Sequence, residues 1–167
     1  GGVFVWFIYH QFGKSVANGM KMVFHVGLGK NSKLPIRMVP LAVIGTWTTH
    51  LFGGSAGREG VAVQIGAAVS NNVGRLVDKT IDIENSRKMF LITGMAAGFS
   101  GLFCTPLAAI FFALEVLVAG KLEYHALIPA TVASISAAFT SRALGLRKFH
   151  INILETLNYH PSTYNAV

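Results

Sequence analysis

The stretch Met89-Phe-Leu-Ile-Thr-Gly94-Met-Ala-Ala-Gly98-Phe-Ser-Gly101-Leu-Phe-Cys104-Thr-Pro106-Leu-Ala-Ala-Ile-Phe-Phe-Ala-Leu-Glu115-Val-Leu-Val118 carries one charge, Glu115, in 30 residues. As a single helix it would reach about 45 Å at 1.5 Å per residue, well beyond a hydrocarbon layer of about 30 Å. Three glycines lower its helix propensity, and Pro106 disfavours helical geometry in the residue before it. The stretch is therefore predicted to form two helices that meet between Gly98 and Pro106. Gly94 and Gly98 have the small-xxx-small spacing that lets helices approach closely.

Other apolar runs alternate with short polar ones on either side. Val3–Tyr9, Val16–Gly29, Pro40–Leu51, Val61–Val73 and Leu127–Thr140 are all shorter than the roughly 20 residues of a simple membrane span. Short, Gly-interrupted hydrophobic segments are the mark of transporters built from discontinuous helices. The expected fold class is all-α, a polytopic membrane protein of tilted, broken helices. The polar stretch Asp78–Lys88 is expected to be a loop, with Asp82-Ile-Glu-Asn-Ser86 capping the next helix. Val3–Tyr9 reads as the tail of an apolar helix with no signal-peptide pattern, and Ile151–Val167 as a mildly polar end. The expectation is one partial transmembrane domain over 1–167, a piece of a longer membrane protein.

Composition agrees. Apolar residues make up 52% of the 167 residues and charged ones 13%, against roughly 25% in soluble proteins. Mean hydropathy is +0.53. So few charges could hardly cover the surface of a soluble domain, and so much apolar surface excludes disorder. The single Cys104 excludes a disulfide framework. The net charge of +7 comes from clusters between the apolar runs: Lys14, Lys21, Lys30, Lys33 and Arg37; Arg75, Lys79, Arg87 and Lys88; Arg142, Arg147 and Lys148. These are membrane-loop positions rather than a basic stripe interleaved with aromatics, so no nucleic-acid partner is expected.

Chemistry is concentrated in Gly53-Gly-Ser-Ala-Gly57-Arg58-Glu59-Gly60-Val61. Small residues lead directly into a helical pattern. A helix start leaves N–H groups unpaired with a partial positive charge, and glycines allow close approach to them, which makes an anion site without a fixed cation. Glu59 in the first turn can fill that site itself and yield it when protonated. An ionisable group in so apolar a chain points to function. Spacing alone also fits a solvated Arg–Glu pair at a helix end.

The segment Gly57-Arg58-Glu59-Gly60-Val61, followed by Ala-Val-Gln-Ile-Gly66, resembles the signature of the CLC chloride channel and transporter family, Gly-(Lys/Arg)-Glu-Gly-Pro. Phe103-Cys-Thr-Pro106-Leu-Ala-Ala-Ile-Phe-Phe-Ala-Leu-Glu115 resembles the family's Phe-x-x-Pro-Leu-Ala-Gly-x-x-Phe-x-x-Glu helix. The order and spacing also match, over essentially the whole chain. The resemblance implies the N-terminal half of an inverted-repeat subunit, with Glu59 as gating and proton-transferring carboxylate. The family's Gly-x-Phe-x-Pro loop and pore Tyr, both of its C-terminal half, do not occur here.

Three departures resemble the family's fluoride–proton antiporter branch. Val61 replaces the motif Pro. Ala17-Asn18-Gly19-Met20-Lys21-Met22 replaces the Ser-bearing chloride loop. Val116 stands where exchangers carry an internal proton-transfer Glu. The resemblance implies an anion site of Asn18, Gly19, Met20, Gly57, Arg58, Gly60 and Val61, with fluoride or chloride and protons as the species moved. It also implies a lipid-bilayer setting in a bacterial plasma membrane, a homodimer for the full-length protein, and no cofactor. A thioether donates no hydrogen bond, so Met20 is expected to shape or dehydrate the path rather than ligate fluoride. Chloride channel or exchanger activity is the alternative, and a non-transporting membrane scaffold a second.

No polar catalytic set accompanies Glu59, so an enzyme is not expected. His10, His25, His50, His125, His150 and His160 form no i, i+3 or i, i+4 pair, and no metal site is expected. His50 is read as interfacial or packed, Cys104 as a buried small residue, and Trp6 and Trp47 as lipid-facing or packing residues. Glu115 is read as a buried structural carboxylate bonded to a helix end, with an inner proton route as the alternative. Gln64, about one turn from Glu59, is placed to hydrogen-bond its carboxylate or to pack elsewhere.

Overall fold

Helices α4 (Glu59–Val77) and α5 (Ser86–Phe103) form the most extensive helix pair. They touch backbone to backbone. A Cβ built on Gly94 would run into the Gly66 carbonyl oxygen, and one on Gly98 into that of Ala62. The approach is sealed by Ser70, whose hydroxyl donates to the Phe90 carbonyl at 2.5 Å, and by Phe90 itself, whose ring lies 2.7 Å from where a Gly74 side chain would begin. The small-residue spacing read at Gly94 and Gly98 is thus half of a contact. Ala62, Gly66, Ser70 and Gly74, at helical spacing on α4, supply the other half.

The computed structural model describes residues 1–13, 16, 18–30, 34–77, 86–118 and 120–146. Before α4 come α1 (Gly2–Phe12), α2 (Gly19–Gly27) and α3 (Met38–Leu51). After α5 come α6 (Pro106–Glu115), a 3₁₀ turn at Tyr124–Ala126 and α7 (Leu127–Ala143). The described residues are all-helical. Among them, no helix is long and apolar enough to cross a membrane. α4 carries Gln64, Ser70, Asn71, Asn72 and Arg75, and α5 opens on Arg87 and Lys88.

The predicted break is present. α5 stops at Phe103, and Pro106 opens α6 at the position where its missing N–H costs nothing. Cys104 turns the chain with φ 52°, a left-handed value uncommon for a residue with a Cβ. Its N–H still donates to Ser100 at 2.7 Å, and its buried thiol lies 3.6 Å from the Ser141 hydroxyl. Three serines then bind α7 to this corner. The Ser100 hydroxyl donates to the Ser134 carbonyl at 2.7 Å, Ser134 to that of Pro106 at 3.0 Å, and Ser141 to that of Gly101 at 2.7 Å.

Two expectations are corrected. Ser86–Lys88 are not loop but the first turn of α5; Ser86 is buried, and Lys88 pairs with Glu123 at 2.6 Å, so a charged residue sits inside the helix because its partner lies beside it. Glu115 is exposed rather than buried. It accepts the Gly120 N–H at 3.3 Å and so closes the turn after α6. Cys104 is buried as expected, and Trp6 and Trp47 are exposed, which suits the lipid-facing reading over the packing one. The stretch 78–85, with the proposed cap at Asp82, lies outside the described residues, as do Ala17, 147–167, and His150 and His160 within them.

The backbone approach yields a direct test. Overpacking a close helix contact costs about 1–3 kcal/mol for small insertions. Gly94→Ala is expected to lower the thermal midpoint of the detergent-solubilised full-length protein, and Gly94→Leu to abolish monodisperse protein. Gly120→Ala, in an open turn at φ 75°, is expected to cause the smaller loss in size-exclusion profiles.

Candidate anion site at two helix starts

Glu59 is the first residue of α4. The Arg58 carbonyl accepts the first helical bond, from Ala62 N–H at 3.0 Å. The N–H groups of Glu59, Gly60 and Val61 therefore have no intrahelical acceptor, and the positive end of a helix about 28 Å long points at them. The lead-in reaches this point through Gly53 at φ 73° and Gly54, whose N–H donates to Thr49 at 2.8 Å. Gly54 to Gly57 then run without helix. A Cβ on Gly57 would lie 3.2 Å from Glu59 Oε2, so the carboxylate folds back over the glycine. Arg58, Glu59 and Gly60 are exposed and Val61 half-buried.

A second helix start lies beside the first. α2 opens at Gly19, with φ 48°, behind Asn18. A Cβ on Gly19 would sit 3.3 Å from Gln64 Nε2, on the second turn of α4. Gln64 thus turns toward the start of α2, which brings the Asn18-Gly19-Met20 segment against the helix that begins at Glu59. Met20 is half-buried and packs on the main core, Asn18 is exposed, and Asn18 makes no side-chain cap bond. The structure therefore brings together the two segments that hold all the expected site residues, through backbone and an amide rather than through a fixed cation.

Other candidates fall elsewhere. His50 is exposed at the end of α3, in a groove with Trp47 and Leu51. His10 stacks on Trp6 with ring centroids 5.0 Å apart. Among the described residues no group of three or more His, Cys, Asp or Glu could hold a metal. The sequence reading passed over a cleft of about 230 Å³ beside the segment from Gly57 to Val61. It is lined by Tyr9 of α1, Thr46 and Thr49 of α3, Gly57, Val61 and Gln64. Its only sequence signal was a pair of threonines one turn apart in an apolar helix.

Comparison with known proteins matches this architecture. The family described as "Voltage gated chloride channel" matches residues 1–167, and the chain belongs to that family. A "Chloride/fluoride channel protein" of Pseudomonas syringae pv. tomato is 38% identical over 156 residues, which are 93% of this chain and 34% of that protein. An "H(+)/Cl(-) exchange transporter ClcA" of Citrobacter koseri is 34% identical over 117 residues, 69% of this chain and 22% of the relative. A crystal structure of a CLC-type fluoride/proton antiporter superposes with a TM-score of 0.82 at 48% identity, covering 90% of this chain and 37% of that one. The all-helical CLC fold is thus shown, and the chain spans about a third of the length of the Pseudomonas relative and of the antiporter chain.

Gly57→Leu is expected to displace the Glu59 carboxylate and Gly19→Leu to push Gln64 away from α2. Each should weaken fluoride binding to the purified full-length protein at least tenfold by titration calorimetry, while Gly29→Ala, in an open turn at φ 74°, should leave binding within about twofold.

Proposed function

We propose that this chain is the gate-bearing part of a multi-pass bacterial plasma-membrane transporter that exports fluoride in exchange for protons. The observation that carries the reading is Glu59 standing first in α4, where a carboxylate and a free anion compete for the same unpaired N–H groups. Ionised, Glu59 fills the site. Protonated, it gives the site up and fluoride enters. Fluoride and proton movement are coupled because one carboxylate serves both.

Fluoride is favoured over chloride by Met20 and Val61, the positions where the chain departs from the chloride pattern, and by the 48% identity to the crystal structure of a CLC-type fluoride/proton antiporter. Arg58 assists less than the backbone donors, since its side chain is exposed. Exposed apolar side chains on α1, α6 and α7, among them Phe4, Trp6, Phe111 and Phe139, suit contact with lipid and with the remainder of a longer chain, in a homodimer.

The test is proton uptake by proteoliposomes loaded with fluoride and containing the full-length protein. Glu59→Gln keeps the shape and removes the titration, so fluoride-driven proton uptake should vanish. Arg58→Gln should be milder. Normal uptake in Glu59→Gln would show that Glu59 is not the shared carrier. In flux assays the unmutated protein should move fluoride at least about tenfold faster than chloride, equivalent to 1.4 kcal/mol, and Met20→Ser should narrow the difference. Equal fluxes would favour the chloride exchanger reading supported by the Citrobacter koseri relative.

A further inference from the structure

A gate that releases its site on protonation needs somewhere to put a neutral carboxylic acid. Such a group differs from its ionised form in two ways. It tolerates partial burial, and it needs an acceptor for its O–H rather than donors for its oxygens. The helix start offers donors. The cleft beside it adds side-chain acceptors. Thr46 donates its hydroxyl proton to the Ala42 carbonyl at 2.8 Å, Thr49 to Gly45 at 2.8 Å, and Tyr9 to Leu41 at 3.2 Å. All three hydroxyl protons are therefore directed at helix backbone, and the oxygens turn only lone pairs to the cleft. Gln64 can add its carbonyl oxygen. The rest of the named lining is Gly57 and the apolar Val61. Beside the main chain of Gly57 and Val61, a protonated carboxyl placed there finds side-chain acceptors in Thr46, Thr49 and Gln64.

The cleft is within reach. Gly57 lines it and also lies under the Glu59 carboxylate, and Val61, two residues beyond Glu59, forms part of its wall. We infer that the cleft between α1, α3 and the start of α4 is the seat of the protonated Glu59 side chain, with Thr46, Thr49 and Gln64 accepting its O–H. This rests on the gating role proposed for Glu59 above. The proton taken up by the carboxylate is carried on the same oxygen while the side chain occupies the cleft, and it is released when Glu59 returns to the N–H groups of α4. Tyr9 is the one titratable side chain named in the cleft lining. Arg58 adjoins Glu59 in the chain, α1 and α3 also carry His10 and His50, and α2 carries Lys21 and His25.

The experiment is the pH profile of fluoride-driven proton uptake in proteoliposomes of the full-length protein. Stabilising a neutral acid raises the pH at which it protonates, so removing its acceptors must shift the profile toward acid. Thr46→Val/Thr49→Val is expected to move the midpoint down by about 0.5–1 pH unit, the size of one lost hydrogen bond, and Thr46→Ser/Thr49→Ser to restore it. Gln64→Leu, measured alone, should shift it in the same direction and serves as the second variant if the double variant does not fold. An unshifted or alkaline-shifted profile, or a loss of rate at all pH values alike, overturns the inference. Glu59→Gln separates the two levels: normal uptake in that variant overturns the gating role and the cleft with it, whereas abolished uptake together with unshifted threonine variants overturns the cleft alone.

Discussion

The contact of α4 with α5 through glycine backbone is the constraint from which the rest follows. Side chains normally hold helix axes 8–10 Å apart. Where Gly66 meets Gly94 and Ala62 meets Gly98, a single Cβ has no room. Apolar surface alone gives little drive for association where the solvent is lipid-like, so close van der Waals contact and hydroxyl-to-carbonyl bonds carry the packing. With α4 held in this way, its first residue is placed by a rigid body and not by a loop. Glu59 inherits its position from Gly66, two turns away.

Helix ends do chemical work here. α4 begins after a glycine-rich turn and α2 begins at Gly19, which lies against the Gln64 side chain on the second turn of α4. Each contributes donors and a partial positive charge. A small, strongly hydrated anion requires many close donors in place of its water, and backbone N–H groups supply them without a long cationic side chain to order. The adjoining cleft is lined by hydroxyls whose protons are already spent on helix carbonyls. Main-chain donors and side-chain acceptors thus meet at one short glycine segment.

Much of this was readable in the residues. Pro106 and three glycines announced the break, which fell at Cys104 and Thr105. The run of small residues before Glu59 announced a helix start, because only an unpaired end benefits from such a lead-in. What escaped reading depended on partners distant in sequence. The first turn of α5 looked like loop because Arg87 and Lys88 are charged; the ion pair that accommodates Lys88 lies at Glu123, 35 residues on. Glu115 looked buried because its neighbours in sequence are apolar, yet it closes a turn at the exposed end of α6. Gly66, the counterpart of Gly94, sat inside a motif whose interest seemed to end at Val61. The cleft threonines gave no periodic signal, since their hydroxyls bond to their own helix.

The serine bonds around the α5–α6 corner all end on main-chain carbonyls, at Gly101, Pro106 and Ser134. A carbonyl is present whatever the residue, so none of these links requires a matching side chain on the opposite helix. Evolutionary drift at this corner is consequently uncoupled: the residue at 101 or 134 can change without its carbonyl forfeiting the bond it receives, and losing one serine hydroxyl removes one such link only. The corner of α5, α6 and α7 can therefore hold its geometry through extensive replacement of its outward side chains, a tolerance that side-chain-to-side-chain networks, which must mutate in pairs, do not have.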